Sequence, residues 1–417
     1  MQWKILLLSL LFSSMLFSQG RRKKEKKKSD WINREYSGER NEKDLKAAMA
    51  SKAFSWLSGS PADNEKLSVG KTAQFFGFVA LRHESGRAIQ RGSIGRAFYE
   101  IASPQQREII LKAVMAEEKS IKDWWTCRSQ ILRILEDLLH NGKAIDIKRI
   151  SSLAEEFGWL NSLSAYYEAK AFAAVEDTLT KSQWQKLRSW RNDPDLVNSG
   201  TNSRKIKNIK ELNREQAAQY EDLFAKCFSW LTGTMTNNKI IPLGQPAQFF
   251  GFVAIRHKSG HGASRGRISK EFLGILNKTQ KAILDESLKD LVTLNNAFTI
   301  KRNFLLNELA KLRTNPTAFS LTLYKKVSKE IGIIEIKYAQ VEAQAYQKIY
   351  TSMSEEQKKE MMNIRSDYII DKSQMDILDI SQRGAKLFNL CSACHNKIIA
   401  PSLKGVFDRE IASLKNY

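Results

Sequence analysis

Phe54-Ser55-Trp56-Leu57 returns as Phe228-Ser229-Trp230-Leu231, and the octapeptide Ala73-Gln74-Phe75-Phe76-Gly77-Phe78-Val79-Ala80 returns intact at 247–254. Both displacements are 174 residues. The same offset carries Arg82-His83 onto Arg256-His257, Ser85-Gly86 onto Ser259-Gly260, Arg91-Gly92 onto Arg265-Gly266, and Arg191 and Asp193 onto Arg365 and Asp367. No gap is needed between these landmarks. Residues 44–192 and 218–366 are therefore two copies of one module, and a fold that suits one copy must suit the other. Asp193-Pro194-Asp195 and the polar run from Asn198 to Ser203 open a linker, 193–217, because such residues favour turns over packed elements. A second linker, 367–380, follows the second copy.

The modules read as helical, which makes the fold class mainly α. Ile131, Leu132, Leu135, Leu138 and Leu139 fall on one helix face, and Leu305, Leu306, Leu309 and Leu312 repeat most of that pattern. Only seven prolines occur in 417 residues, so little helical span is lost. Each copy carries two helix starts of the hydroxyl-or-amide-x-x-Gln form, in which two side chains and two backbone N–H groups satisfy each other. These are Ser103 to Gln106 and Thr180 to Gln183, with counterparts Asn277 to Gln280 and Ser354 to Gln357. Pro104 sits at the first helical position, where its missing N–H costs nothing.

Leu179-Thr180-Lys181-Ser182-Gln183, with Leu276-Asn277-Lys278-Thr279-Gln280 and Met353-Ser354-Glu355-Glu356-Gln357, resembles the L-T-x-x-Q signature of the Spy/CpxP-like periplasmic helical proteins. The resemblance spans about half of each module. It implies a helical hairpin that binds exposed segments of other proteins or responds to metals. A generic helical domain begins its helices in the same way.

His83 and His257 both stand in Arg-His-x-Ser-Gly. A histidine and an arginine in a last helical turn complement the helix C-terminus, and the glycine supplies the left-handed stop. His257 and His261 have the i, i+4 spacing of a metal pair, but Gly260 and Gly262 break the helix that would hold them. Phe75, Phe76 and Phe78 read as core, with Gly77 permitting close packing. Cys127 and Cys227 occupy non-equivalent positions of the repeat, and a disulfide or two buried thiols are both open to them.

Cys391-Ser392-Ala393-Cys394-His395 is the run that names a chemistry. Its C-x-x-C-H spacing lets two thiols be alkylated by the vinyl groups of one haem while the adjacent histidine ligates the iron. The rival is a zinc or redox C-x-x-C, but structural zinc needs four ligands, and no further Cys or His stands close by in sequence. Around this run, Gly384-Ala385-Lys386-Leu387-Phe388, Pro401-Ser402-Leu403-Lys404-Gly405-Val406 and the segment from Arg409 to Tyr417 resemble the first half of a class I cytochrome c. That resemblance implies one covalent haem c, thioethers at Cys391 and Cys394, and His395 as proximal metal ligand. It also implies that the Pro401 carbonyl orients the imidazole and that Arg409 lies near a haem propionate. Ala400 and Asp408 depart from the family pattern without removing a ligand.

The family takes its sixth ligand, a methionine, from a later loop, yet the 22 residues after His395 contain none. Residues 381–417 thus read as an incomplete cytochrome c-like domain. A chain cut short, an open sixth position and a ligand from elsewhere are the three explanations, and the first leads because the match continues up to Tyr417. Met361, Met362 and Met375 are upstream methionines, better read as helix packing or surface.

Ile5 through Phe17 is an apolar stretch of 13 residues behind Lys4, with Ser18 and Gly20 suited to cleavage. It reads as a signal peptide over 1–20 rather than a membrane span. The expected location is periplasmic or otherwise extracytoplasmic. Arg21 through Lys28 opens a basic segment, 21–43, whose charge sits awkwardly behind an export signal. Such a run is ordinarily solvated, and its functional alternative is an anionic membrane surface. The net charge of +22 suits an acidic redox partner protein. No nucleic-acid module is readable. No Ser-His-Asp order, phosphate loop or clustered carboxylate pair stands out either, so the chain reads as an electron carrier more than an enzyme, with its helical modules as a docking or sensing scaffold. The alternatives are a haem sensor or peroxidase-like protein with an open sixth position, and a Spy/CpxP-like scaffold with a remnant haem domain.

Overall fold

The computed structural model describes residues 42–60, 72–73, 91–193, 195–198, 212–234, 246–250 and 265–368. Every regular element among the described residues is a helix, so the body is mainly α. The first repeat supplies α1 (Glu42–Ser58), α2 (Arg91–Ile101), α3 (Pro104–Asn141), α4 (Ile147–Glu176) and α5 (Lys181–Asn192), followed by the single turn α6 (Asp195–Asn198). The second supplies α7 (Arg214–Thr232), α8 (Arg265–Ile275), α9 (Lys278–Thr314), α10 (Leu321–Ser352) and α11 (Glu355–Tyr368), with a 3-10 turn at Pro316–Ala318. The 174-residue offset lays each of these five helices on its counterpart.

Local chemistry sets the ends. Ser103, Thr180, Asn213 and Asn277 each cap a helix with a reciprocal glutamine three residues on. The Asn213 box starts α7 at Arg214, within the stretch 193–217 read as linker, and α6 places four more of those residues in a helical turn. The long helix α3 stops at Gly142, whose φ of 62° is the left-handed conformation that glycine adopts without a Cβ clash. At the equivalent position α9 meets Pro316, which ends a helix by lacking an N–H. The same boundary is reached by two different mechanisms.

The helices α3 and α4 form one hairpin, α9 and α10 another, and α4 packs against α10 between them. Gly158 and Gly332 meet at that crossing. A Cβ on Gly158 would lie 2.6 Å from the Gly332 nitrogen, and one on Gly332 would lie 2.8 Å from the Gly158 nitrogen. The offset maps Gly158 onto Gly332, so an approximate two-fold axis passes between them. Glu155 and Lys329, also equivalent positions, form an ion pair across it at 3.0 Å.

The repeats do not pack as successive beads. The first helix of each is exchanged: α1 lies against α8, α9, α10 and α11 of the second repeat, while α7 lies against α2, α3, α4 and α5 of the first. Phe54 meets the edge of Phe272 and Trp56 that of Tyr346, with ring centroids 6.0 Å apart in both pairs. Phe98 and Phe224 make the comparable contact at the other end, at 5.5 Å. Two cores result, one at each end of the bundle, and both draw side chains from both repeats. Burial of large apolar side chains at about 1.5–3 kcal/mol each therefore stabilises the joint assembly of the repeats.

The leucine face expected on α3 is buried throughout, as are Leu305, Leu306 and Leu309, with Leu312 partly buried at the rim. Met361 is core and Met362 half exposed, while Met375 lies outside the described residues. Cys127 and Cys227 are free and buried, which decides between the two readings left open for them. Among the described residues no helix is long and apolar enough to cross a membrane.

Candidate functional site

Two kinds of polar construction are built into the apolar body. The first joins the two capping boxes of each repeat. Gln106, which caps α3, donates to Gln183 Oε1 at 3.1 Å and to the Thr178 carbonyl at 3.0 Å. Gln183, which caps α5, donates back to Gln106 Oε1 at 2.9 Å and to the Ile101 carbonyl at 2.7 Å. Each amide thus serves its own helix N-terminus and the end of another helix at once. Gln280 and Gln357 repeat the arrangement, with the Ser352 and Ile275 carbonyls in the matching places. The clasp ties the open end of each hairpin.

The second construction lies where the exchanged helices enter. Lys52 of α1 is buried and donates to both carboxylate oxygens of Glu342 on α10, at 3.0 and 2.8 Å, and to the Pro246 carbonyl at 3.1 Å. Its counterpart, Lys226 of α7, is also buried, pairs with Glu168 on α4, and donates to the Thr72 carbonyl at 3.0 Å. The four residues map onto one another by the offset, as do Thr72 and Pro246. Ala73 and Ala247 then adopt φ values of 55° and 56°, a left-handed conformation that costs an L-residue about 1–2 kcal/mol. Ala73 N–H donates to Asn161 Oδ1 at 2.7 Å, and Ala247 N–H to the carboxylate at the matching position, Glu335. Lysine and residue 161 or 335 thus pin the start of each repeated octapeptide from two sides.

Burial dominates the electrostatics here. It pushes Glu168 and Glu342 up to about 7, against the downward pull of Lys226 and Lys52. It pushes Glu335 up to about 8, with the Ala247 N–H and Lys52 opposing. Glu117 on α3 is fully buried beside Glu168, and both effects raise it well above the ordinary carboxylate range. The Gln219 amide of α7 faces it and opposes that rise. These sites can hold charge or protons, and they can hold helices. Among the described residues no group of three His, Cys, Asp or Glu side chains is arranged to hold a metal ion.

Cys391, Cys394, His395, Pro401 and Arg409 lie outside the described residues, as do His83, His257, His261, Phe75, Phe76, Phe78 and the basic stretch 21–28. Phe249 and Phe250, the counterparts of Phe75 and Phe76, are buried, and the Phe249 carbonyl accepts from buried Arg128 at 2.9 Å. The buried Lys–Glu pairs were absent from the sequence reading, although a signal for them exists. Lys52 and Lys226 sit in Ala-Ser-Lys-Ala-Phe and Phe-Ala-Lys-Cys-Phe, each a charge amid apolar helix residues and both kept at the 174-residue offset. No protein-family model, curated protein or solved structure matches this chain.

Proposed function

We propose that the chain is an exported c-type cytochrome that carries electrons, with one covalent haem c in residues 381–417 and the helix-exchanged body as its docking or sensing scaffold. The observation that carries this reading is Cys391-Ser392-Ala393-Cys394-His395. The donor set fits the group: two thiols at thioether spacing and an imidazole one position on. When bound, haem supplies one-electron redox chemistry. Cys391 and Cys394 would tether it against loss, and His395 would offer a ring nitrogen to the iron. By the resemblance to class I cytochromes c, the Pro401 carbonyl would orient the imidazole and Arg409 would balance propionate charge. The surplus of basic residues favours an acidic redox partner, with the 21–28 run as an additional contact to an anionic membrane surface. Export is supported by the apolar stretch 5–17.

The scaffold part of the reading is supported by the body itself. Clasps at both hairpin ends and exchanged helices locked by buried ion pairs favour a single rigid arrangement, suited to presenting a tethered haem domain. The test is to export the full chain in a bacterial host that matures c-type cytochromes and to stain denaturing gels for haem. Covalent haem in the parent, lost in Cys391→Ala/Cys394→Ala, is the expected result. A parent chain that is exported without haem, in cells that mature a control cytochrome, would overturn the reading and leave the chaperone-like scaffold in its place.

A further inference from the structure

Where the second hairpin turns from α9 into α10, rings, leucines and lysines gather on one surface. Phe319, just before α10, stacks on Tyr166 of α4, with ring centroids 5.4 Å apart and planes 15° apart. Farther along the same seam, Lys325 Nζ lies 5.0 Å from the ring centre of Trp159. All three rings are partly buried. Beside them Leu321 and Leu323 are 45 % and 42 % exposed. Trp159 stands nine residues from Glu168, about two and a half helical turns, so the face it shares with Tyr166 points away from the exchanged helix α7 that Glu168 meets.

The charge of this surface has one sign. The helix α10 carries five lysines and three glutamates. Glu335 and Glu342 are buried, and Glu330 pairs with Lys301 at 2.5 Å. Lys329 pairs with Glu155, which leaves Lys325, Lys326, Lys337 and Lys348 as the exposed charges of the helix. The exposed lysines of α3 are arranged differently: Lys112 and Lys122 each meet a glutamate four residues earlier, Glu108 and Glu118.

The repeat supplies an internal control. The 174-residue offset relates Trp159 to Ile333, Tyr166 to Gln340, Phe319 to Ile145, and Lys325 and Lys326 to Ser151 and Ser152. The same helices form around both sets. The architecture therefore does not call for rings and lysines at these positions, yet the second hairpin tip has them together.

We propose that this tip is a docking surface for an anionic lipid bilayer, with headgroup phosphates at Lys325 and Lys326 and the rings and leucines at the boundary between headgroups and acyl chains. Tryptophan and tyrosine suit that boundary because each joins an apolar ring to a polar tip. Lysine stems lie along apolar surface while the ammonium reaches outward. An acidic protein would meet the lysines equally well, but the exposed leucine pair beside amphipathic rings favours lipid. The surface is separate from the 21–28 run and needs no haem.

The test is co-sedimentation of the full chain with vesicles of phosphatidylcholine alone and with vesicles containing about one-third phosphatidylglycerol. A second form, with the basic residues of 21–28 changed to glutamine, isolates the hairpin tip. Both forms should bind the anionic vesicles more tightly than the neutral ones. Lys325→Ser/Lys326→Ser should weaken anionic binding about 25-fold, at about fivefold for each lysine. Leu321→Ser/Leu323→Ser should weaken it at low and high salt alike. The control is Lys348→Ser, about 33 Å along α10 from Lys326 by helix rise and well beyond a Debye length at physiological salt; it should leave binding unchanged. Circular dichroism and urea midpoints should match the parent in every variant. Equal sedimentation with the two vesicle types in the 21–28 variant would overturn the proposal, as would equal losses in the tip and control variants. Binding to an acidic protein with none to anionic vesicles would also overturn it and assign the surface to a protein partner.

Discussion

Lys52 in the first repeat reaches both carboxylate oxygens of Glu342 in the second, and the offset that relates the repeats turns this pair into Lys226 and Glu168. The ion pairs therefore close a reciprocal exchange. Each lysine rides on the helix that crosses over, and each glutamate stays with the hairpin that receives it.

Removing one member of such a pair leaves a buried charge without its partner. Lys52→Met should cost about 3–5 kcal/mol in urea denaturation at pH 8, whereas Lys52→Met/Glu342→Met should return to within about 2 kcal/mol of the parent, because matched apolar replacements avoid the desolvation of both ions. The single variant should recover part of its loss at pH 6, where Glu342, already raised to about 7 with the lysine present, takes up a proton. A single variant that loses less than 1 kcal/mol at pH 8 would show that the pair does not hold the helix.

Gly158 and Gly332 bring the α4 and α10 backbones into contact at the approximate two-fold axis, and a Cβ on Gly332 would overlap the Ala154 carbonyl. Gly332→Ala should destabilise by about 1–3 kcal/mol or more, since a packed crossing has to separate to admit the methyl group. Gly274 in α8 is the control, for nothing lies within 4 Å of the position its Cβ would take. Gly274→Ala should stabilise, by up to about 1 kcal/mol, through helix propensity alone. Opposite signs in thermal or urea unfolding establish that the crossing, not helical glycine in general, sets the cost.

The glutamine clasp predicts coupling. Gln106→Met and Gln183→Met each strip partners from part-buried backbone groups and from the other amide, at about 1–3 kcal/mol apiece. Once one amide is gone the second has lost part of its role, so the double variant should cost less than the sum by about 0.5–3 kcal/mol. Strict additivity in a double-mutant cycle would mean that the two capping boxes act separately despite their 2.9 and 3.1 Å contacts.

What the sequence revealed was what is local or repeated. Ser103-x-x-Gln106 encodes its own helix start within four residues, and the leucine face of α3 shows in its spacing, because both are set by backbone geometry. The exchange of α1 and α7 is silent in the sequence: a 174-residue period says that two helices are alike and not which hairpin each will cover. Gly158 and Gly332 look like any glycines within helical runs until the helices cross at them. The clasp was half visible, since both boxes could be read but not their meeting across 77 positions. Lysine is almost never fully buried unless paired, so nothing in the type of residue 52 announces its partner Glu342, 290 positions away. The C-x-x-C-H run remains a statement of composition and spacing in residues that the structure does not describe.

Thiol counting joins the described body to that run. Burial pushes the Cys127 thiol up to about 12 and raises Cys227 well above the ordinary thiol value, and a thiol reacts through its thiolate. In the folded chain at pH 8 both should resist alkylation by iodoacetamide. In denaturant both should react. The chain has four cysteines, so thioether bonds at Cys391 and Cys394 leave 4 − 2 = 2 alkylatable thiols in the denatured protein, and a chain without covalent haem exposes four. Mass spectrometry of the alkylated, denatured chain should therefore find two adducts and one haem on the same molecule, with the adducts on Cys127 and Cys227. Four adducts on chains exported by a host that matures c-type cytochromes would remove the haem reading and leave the helix-exchanged body to account for the protein alone.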